Sequence, residues 1–280
     1  MRIIKTPGLL FIVVLILNSC GKERTPTDDE DGNATKENFH LYLLMGQSNM
    51  AGRGKVEPID TLTHPRVFML DRDTTWVLAR DPIHFDKPIA GTGLGLTFGK
   101  IMANRNNNIR VGLIPCAKGG SSINQWFGDS LHQATNSFPY NEMIAKAKKA
   151  MKEGTLKGIL WHQGESDTGT EGSVDLYSKN FNAMLNSLKA DLEIETVPIV
   201  IGELGYFFYQ KARLAEDLNK VLSEISDESD CIGLVSAEKL HDKGDSTHFD
   251  SNSYRELGTR YANKMIEIQS LCATILNDDK

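Results

Sequence analysis

From Phe39 to the C-terminal region, short apolar runs alternate with longer segments in which apolar residues recur at helical spacing. The runs "FHLYLLM", "RVGLIPCA", "LKGILWHQ", "VPIVIGEL" and "CIGLVSA" have the length and composition of strands, and most are too apolar for a sheet with one wet face. Leu94 to Arg105, Tyr140 to Glu153, Val174 to Ala190, Tyr209 to Ser226 and Ser253 to Leu271 carry the helical pattern, and Pro139, Gly154, Pro198 and Gly233 fall at the boundaries. Strands and helices taking turns predict an α/β domain: a mostly parallel sheet with helices on both faces, a three-layer α/β/α sandwich. No internal repeat recurs at a fixed period.

The residues before Phe39 are of another kind. Arg2 and Lys5 precede an uncharged apolar stretch from Gly8 to Leu17, about half the ~20 residues a transmembrane helix needs, so residues 1–19 read as a signal peptide. Leu17-Asn18-Ser19-Cys20 resembles the bacterial lipobox, which implies an exported protein held to a membrane of the cell envelope through lipid on Cys20; ordinary secretion with a cysteine at the cleavage point is the alternative. Residues 20–37, rich in Thr, Asp, Glu, Gly and Asn and free of large apolar side chains, read as a flexible tether. The folded domain is expected over residues 38–275.

Composition adds exclusions. A chain of 280 residues that is 40% hydrophobic and 24% charged fits one globular domain plus some sequence outside it. The net charge of −6, with no basic run, argues against nucleic acid as a partner. With Cys20 lipidated, Cys116, Cys231 and Cys272 remain, so at least one thiol is free; Cys231 and Cys272 could pair. No Cys-x-x-Cys or His-x-x-x-His spacing suggests a metal site.

In open α/β sheets ligands bind beyond the carboxyl ends of the strands, and four polar, glycine-containing loops are predicted there: "GQSNMAG", "KGGSSINQW", "QGESD" and "GDSTHFD". Ser48 follows the first strand, where Gly46 permits a tight bend and Met50-Ala51-Gly52 could begin a short helix. Alone it reads more readily as a helix N-cap than as a nucleophile. A serine hydroxyl becomes a useful nucleophile only beside a base oriented by a carboxylate. Asp245 and His248, three residues apart, supply those types, although each also has a plain role, as a turn residue and a surface histidine, with Asp250 or Ser251 capping the last helix.

Gly46-Gln47-Ser48-Asn49-Met50, Lys118-Gly119-Gly120-Ser121-Ser122-Ile123, Trp161-His162-Gln163-Gly164-Glu165-Ser166-Asp167 and Asp245-Ser246-Thr247-His248 resemble, in order, the four blocks of the SGNH (GDSL-like) hydrolase superfamily. The branch they resemble is the sialate O-acetylesterase and acetylxylan esterase group, carbohydrate esterase family 6, over roughly residues 39–270. The resemblance implies a flavodoxin-like sheet, Ser48 as nucleophile, His248 as base and then acid, and Asp245 as its orienting carboxylate. It implies an oxyanion site made of the Ser48 amide, a glycine amide from Gly119-Gly120, with Gly120 preferred, and a side-chain amide. The wider superfamily takes that last donor from an asparagine in the third block; here Gln163 stands in its place, either as donor or as a brace of the loops. Glu165 could compete with Asp245 for His248 or tie neighbouring loops together. Trp126 could pack or serve as a platform for a sugar ring.

The implied reaction is removal of O-acetyl groups from carbohydrates such as acetylated xylan or sialic acid, through an acetyl-enzyme and with no cofactor. The absence of an evident apolar lid insertion also favours acetyl over long acyl groups. Two alternatives stand beside it: a short-chain or lipid esterase of the same superfamily, and a glycan-binding lipoprotein without turnover.

Overall fold

The computed structural model describes residues 35–278. The signal peptide, Cys20 and all but the last residues of the tether lie outside the described residues. In chain order the elements are β1 (Phe39–Gly46), α1 (Ser48–Ala51), β2 (Val67–Leu70), β3 (Trp76–Leu78), α2 (Gly95–Arg105), β4 (Arg110–Pro115), α3 (Pro139–Ala150), β5 (Thr155–His162), α4 (Glu171–Asp175), α5 (Tyr177–Leu192), β6 (Ile199–Gly202), α6 (Ala215–Asp227), β7 (Ile232–Val235) and α7 (Ser251–Asp278). The seven strands form one sheet in the order β3-β2-β4-β1-β5-β6-β7, parallel except for the β2–β3 pair.

The period of two in β1 sorts its side chains between two cores. Phe39, Leu41, Leu43 and Met45 join the layer packed by α3, α4, α5 and α6, whereas Tyr42 and Leu44 join the layer packed by α2 and α7. This is the three-layer sandwich expected from the pattern. Strands lie on both sides of β1, and β4 and β5 leave it in opposite directions along the sheet, so the crevice beyond its carboxyl end is the switch point of the topology.

Four features depart from the sequence pattern. The short edge strands β2 and β3 were not anticipated. The helix expected over Val174 to Ala190 is two, α4 and α5, and the one expected from Tyr209 starts only at Ala215, after a 3-10 turn over Tyr206–Gln210. Apolar spacing runs on through such breaks, so periodicity alone does not register them. The last helix extends to Asp278, past residue 275.

Cys231 and Cys272 form a disulfide that ties the entry to β7 to α7, and Cys116 is the buried free thiol among the described cysteines. Closing a loop over a sequence separation of 41 restricts the unfolded chain. Replacing both cysteines by serine should therefore cost about 2–4 kcal/mol in denaturant unfolding, and added reductant should abolish the difference from the parent protein.

Candidate active site

Gly46 ends β1 opposite His162 of β5, with φ +131 and so little room that a Cβ would lie 2.1 Å from the His162 carbonyl oxygen. The chain turns there, and the Gln47 N–H donates to that same oxygen at 3.0 Å. Ser48 then opens α1, but its side chain caps nothing: Oγ lies 3.0 Å from His248 Nε2, across 200 residues of sequence. The serine is thus not the N-cap that one reading of the sequence offered. At the other end Asp250 is the cap of α7, its Oδ1 accepting from Ser253 N–H at 2.7 Å.

Behind His248, Nδ1 meets Asp245 Oδ2 at 2.7 Å, while Asp245 Oδ1 accepts the backbone N–H groups of Thr247 and His248 at 3.0 and 2.8 Å. Nδ1 therefore carries the proton toward the carboxylate, and Nε2 is left to accept from the Ser48 hydroxyl. Burial lowers the His248 pKa below its usual 6.5 against the opposing pull of Asp245, so the ring is neutral at neutral pH. Burial would raise Asp245, but its bonds from His248 and Thr247 hold it at about 2.

Asn49 joins the two ends of the chain. Its Nδ2 donates to Thr247 O at 2.9 Å and to Glu165 Oε1, and its Oδ1 accepts from the Tyr254 hydroxyl at 2.7 Å. Lys211 braces the same loop from outside through Thr247 Oγ1 at 2.6 Å. Glu165 consequently belongs to the bracing network and Asp245 is the partner of His248. Burial raises the Glu165 pKa to about 7 despite the bond from Asn49.

Burial and hydrogen bonding bear on three readings that the sequence leaves open. Gln163 is wholly buried, and its amide N–H groups serve Asp167 Oδ2 (2.6 Å), Ser121 O (3.0 Å) and Gln47 Oε1 (3.1 Å), while its Oε1 accepts from the Tyr177 hydroxyl at 2.8 Å. Its donors are committed inward, to the loops that they tie together. The Gly119 N–H is likewise committed, to Asp86 Oδ2 at 2.8 Å. Trp126 is 0% exposed, donates to Ser121 Oγ at 3.0 Å and packs edge-on against Trp161, so no sugar can stack on it.

Sequence reasoning missed Gln47. Because Gly46 and His162 are in register, residues 47 and 163 leave neighbouring strands side by side. Gln47 Oε1 accepts from Gln163 Nε2 and from the N–H groups of Gly164 (3.4 Å) and Ser166 (3.3 Å). Two backbone donors fix which end of the amide is oxygen, and the Nε2 group is left uncommitted among the described residues beside Ser48. Gly120, with φ +90, likewise has an N–H with no partner among the described residues. Its neighbour Gly119 is held in place by the buried Arg53–Asp86 pair, joined at 2.6 Å, and Arg53 also donates to Gly52 O at 2.8 Å. That clamp fastens the second block to the first.

A serine held by a neutral histidine and an ionised aspartate, with backbone and amide donors close by, is equipped for acyl transfer. Among the described residues no group of three or more His, Cys, Asp or Glu side chains could hold a metal ion.

Comparison with known proteins bears on this geometry. Residues 38–267 match the family model described as carbohydrate esterase, sialic acid-specific acetylesterase. The probable carbohydrate esterase At4g34215 of Arabidopsis thaliana is 29% identical over 244 residues, 79% of this chain and 88% of that protein. Its solved structure superposes with a TM-score of 0.72 at 25% identity, covering 81% of this chain and 97% of that one. The structure of NanS, at 15% identity and a TM-score of 0.67, covers 83% of this chain and 98% of its own. XAC1771, a carbohydrate acetylesterase from Xanthomonas citri, reaches 0.65 at 20% identity, covering 82% and 56%. These last two likenesses are of fold.

Proposed function

The chain belongs to the sialic acid-specific acetylesterase family of carbohydrate esterases, and from that premise we propose that it removes O-acetyl groups from carbohydrate through an acetyl-enzyme on Ser48. The observation that carries this reading is the line from Asp245 through His248 to Ser48 Oγ, with contacts of 2.7 and 3.0 Å. His248 takes the hydroxyl proton as Ser48 attacks the acetyl carbonyl, then returns it to the departing sugar oxygen. Water enters by the same route and releases acetate. Asp245 fixes the tautomer and stabilises the imidazolium. The developing oxyanion is held by the Ser48 and Gly120 N–H groups and by Gln47 Nε2, whose carbonyl end Gln163 pins from below.

We read the N-terminal segment as an export and lipidation signal. The Cys231–Cys272 disulfide is in keeping with an oxidising compartment.

The base works only when neutral, so kcat/KM should fall as pH drops through the His248 pKa. Because burial lowers that value, the acid limb should be a single-proton titration with its midpoint below 6.5. Acetate release from O-acetylated sialic acid, acetylated xylan and a long-chain fatty ester, followed between pH 4 and 9 as about the range the reference His pKa brackets, tests both halves of the reading. Turnover of an acetylated sugar with such a limb supports it. Turnover of the fatty ester alone would move the protein to the lipid esterases, and a midpoint above 7 would exclude a lowered His248 as base.

A further inference from the structure

A cavity of about 590 Å³ lies not over Ser48 but toward the β3 edge of the sheet. Its floor is apolar: Met69 and Val77 face each other across the β2–β3 pair, with Pro82 and the half-buried Phe85 beside them. Arg72 and Arg80 stand at its wall with the carboxylates of Asp71 and Asp73. The Arg72 guanidinium lies 4.8 Å from the centre of the Phe85 ring, which fixes its position, and among the described residues neither arginine has an ion-pair partner. Three cations nearby are committed elsewhere: Arg53 to Asp86, Lys118 to Glu142 at 2.6 Å, and Lys146 to Pro115 O at 2.8 Å.

A second cavity, about 230 Å³, shares Asp71, Arg72 and Phe85 with it and reaches Lys118, next to Gly119 and Gly120. Together they follow the carboxyl rim of the sheet from β2 past β4 toward β1, two inter-strand spacings or roughly 10 Å. Their common wall is the segment whose Asp86 holds the Gly119 N–H. A surface that offers both donors and acceptors over an apolar floor suits the hydroxyl-studded but flat-sided body of a sugar.

We propose that this groove binds a further sugar residue of the glycan whose acetyl ester sits at Ser48, with Arg72 and Arg80 donating to its hydroxyl or carboxylate oxygens, so that the protein acts on oligosaccharides in preference to free acetylated monosaccharides. The proposal deepens the esterase reading and rests on it for the position of the ester.

Binding can be measured without turnover. The Ser48→Ala protein is titrated calorimetrically with xylotetraose and with xylose, and with an α-linked trimer of sialic acid and its monomer. The same titrations are repeated after Arg72→Ala and Arg80→Ala are added. At least one oligomer should bind about tenfold or more tightly than its own monomer, and the added substitutions should remove that gain. Which oligomer shows it distinguishes a neutral chain from an acidic one. No gain with either, or a gain that survives the loss of both arginines, overturns the proposal. With Ser48 intact, the two arginine substitutions should leave hydrolysis of a small aryl acetate unchanged, which shows that the fold is kept. Failure of the parent protein to hydrolyse that ester sinks the esterase reading instead, whatever the titrations show.

Discussion

Replacement of Ser48 by alanine is expected to lower kcat for acetate release by roughly 10⁶-fold, the scale on which removal of a triad serine acts, with KM little changed. The reason is geometric. Ser48 Oγ is the atom on which His248 Nε2 converges, and α1 places no other hydroxyl there. His248→Ala should cost a comparable factor, and the double variant should be no slower than either single one, because the two residues act as one unit. Steady-state kinetics on an aryl acetate decides this. Multiplying effects would mean that serine and histidine serve separate steps.

The second large effect concerns Gln47. Gln47→Ala should reduce kcat by roughly 10²- to 10³-fold while sparing KM, as loss of an oxyanion donor does. Gln163→Ala should also slow the enzyme, because it frees the Gln47 amide to rotate and leaves Asp167, whose pKa burial already raises to about 6, without its closest donor. The pair tells the roles apart. If Gln163 acts through Gln47, adding Gln163→Ala to Gln47→Ala should change kcat little further, whereas two independent donors would give multiplying losses. A larger loss from Gln163→Ala than from Gln47→Ala, in protein that unfolds at the same denaturant concentration as the parent, would restore the third block as the donor.

Most of the architecture could be read from pattern because it depends on local periodicity. Five apolar runs became five parallel strands, and the loops named beforehand did meet on one rim. What escaped was set by register and by competition among polar groups. That residues 47 and 163 stand side by side follows from Gly46 pairing with His162, and nothing in either segment encodes that pairing locally. Trp126 suits a sugar platform or a core by sequence alone, and only the fold encloses its indole between Ser121 and Trp161. The choice between Asp245 and Glu165 turned on Asn49, which engages Glu165 and leaves the histidine to Asp245. The edge strands β2 and β3, only four and three residues long, are too short for alternation to mark them, yet they form the floor of the cavity beside the site.

The most direct measurement is mass analysis of the protein acid-quenched within milliseconds of mixing with an excess of aryl acetate. An acetyl-enzyme mechanism predicts a transient species heavier by one acetyl group, with the added mass on the peptide that contains Ser48, and no such species in Ser48→Ala. Acetate release with no acetylated intermediate at any quench time, or acetylation confined to another residue, would contradict the assignment of Ser48 as the nucleophile.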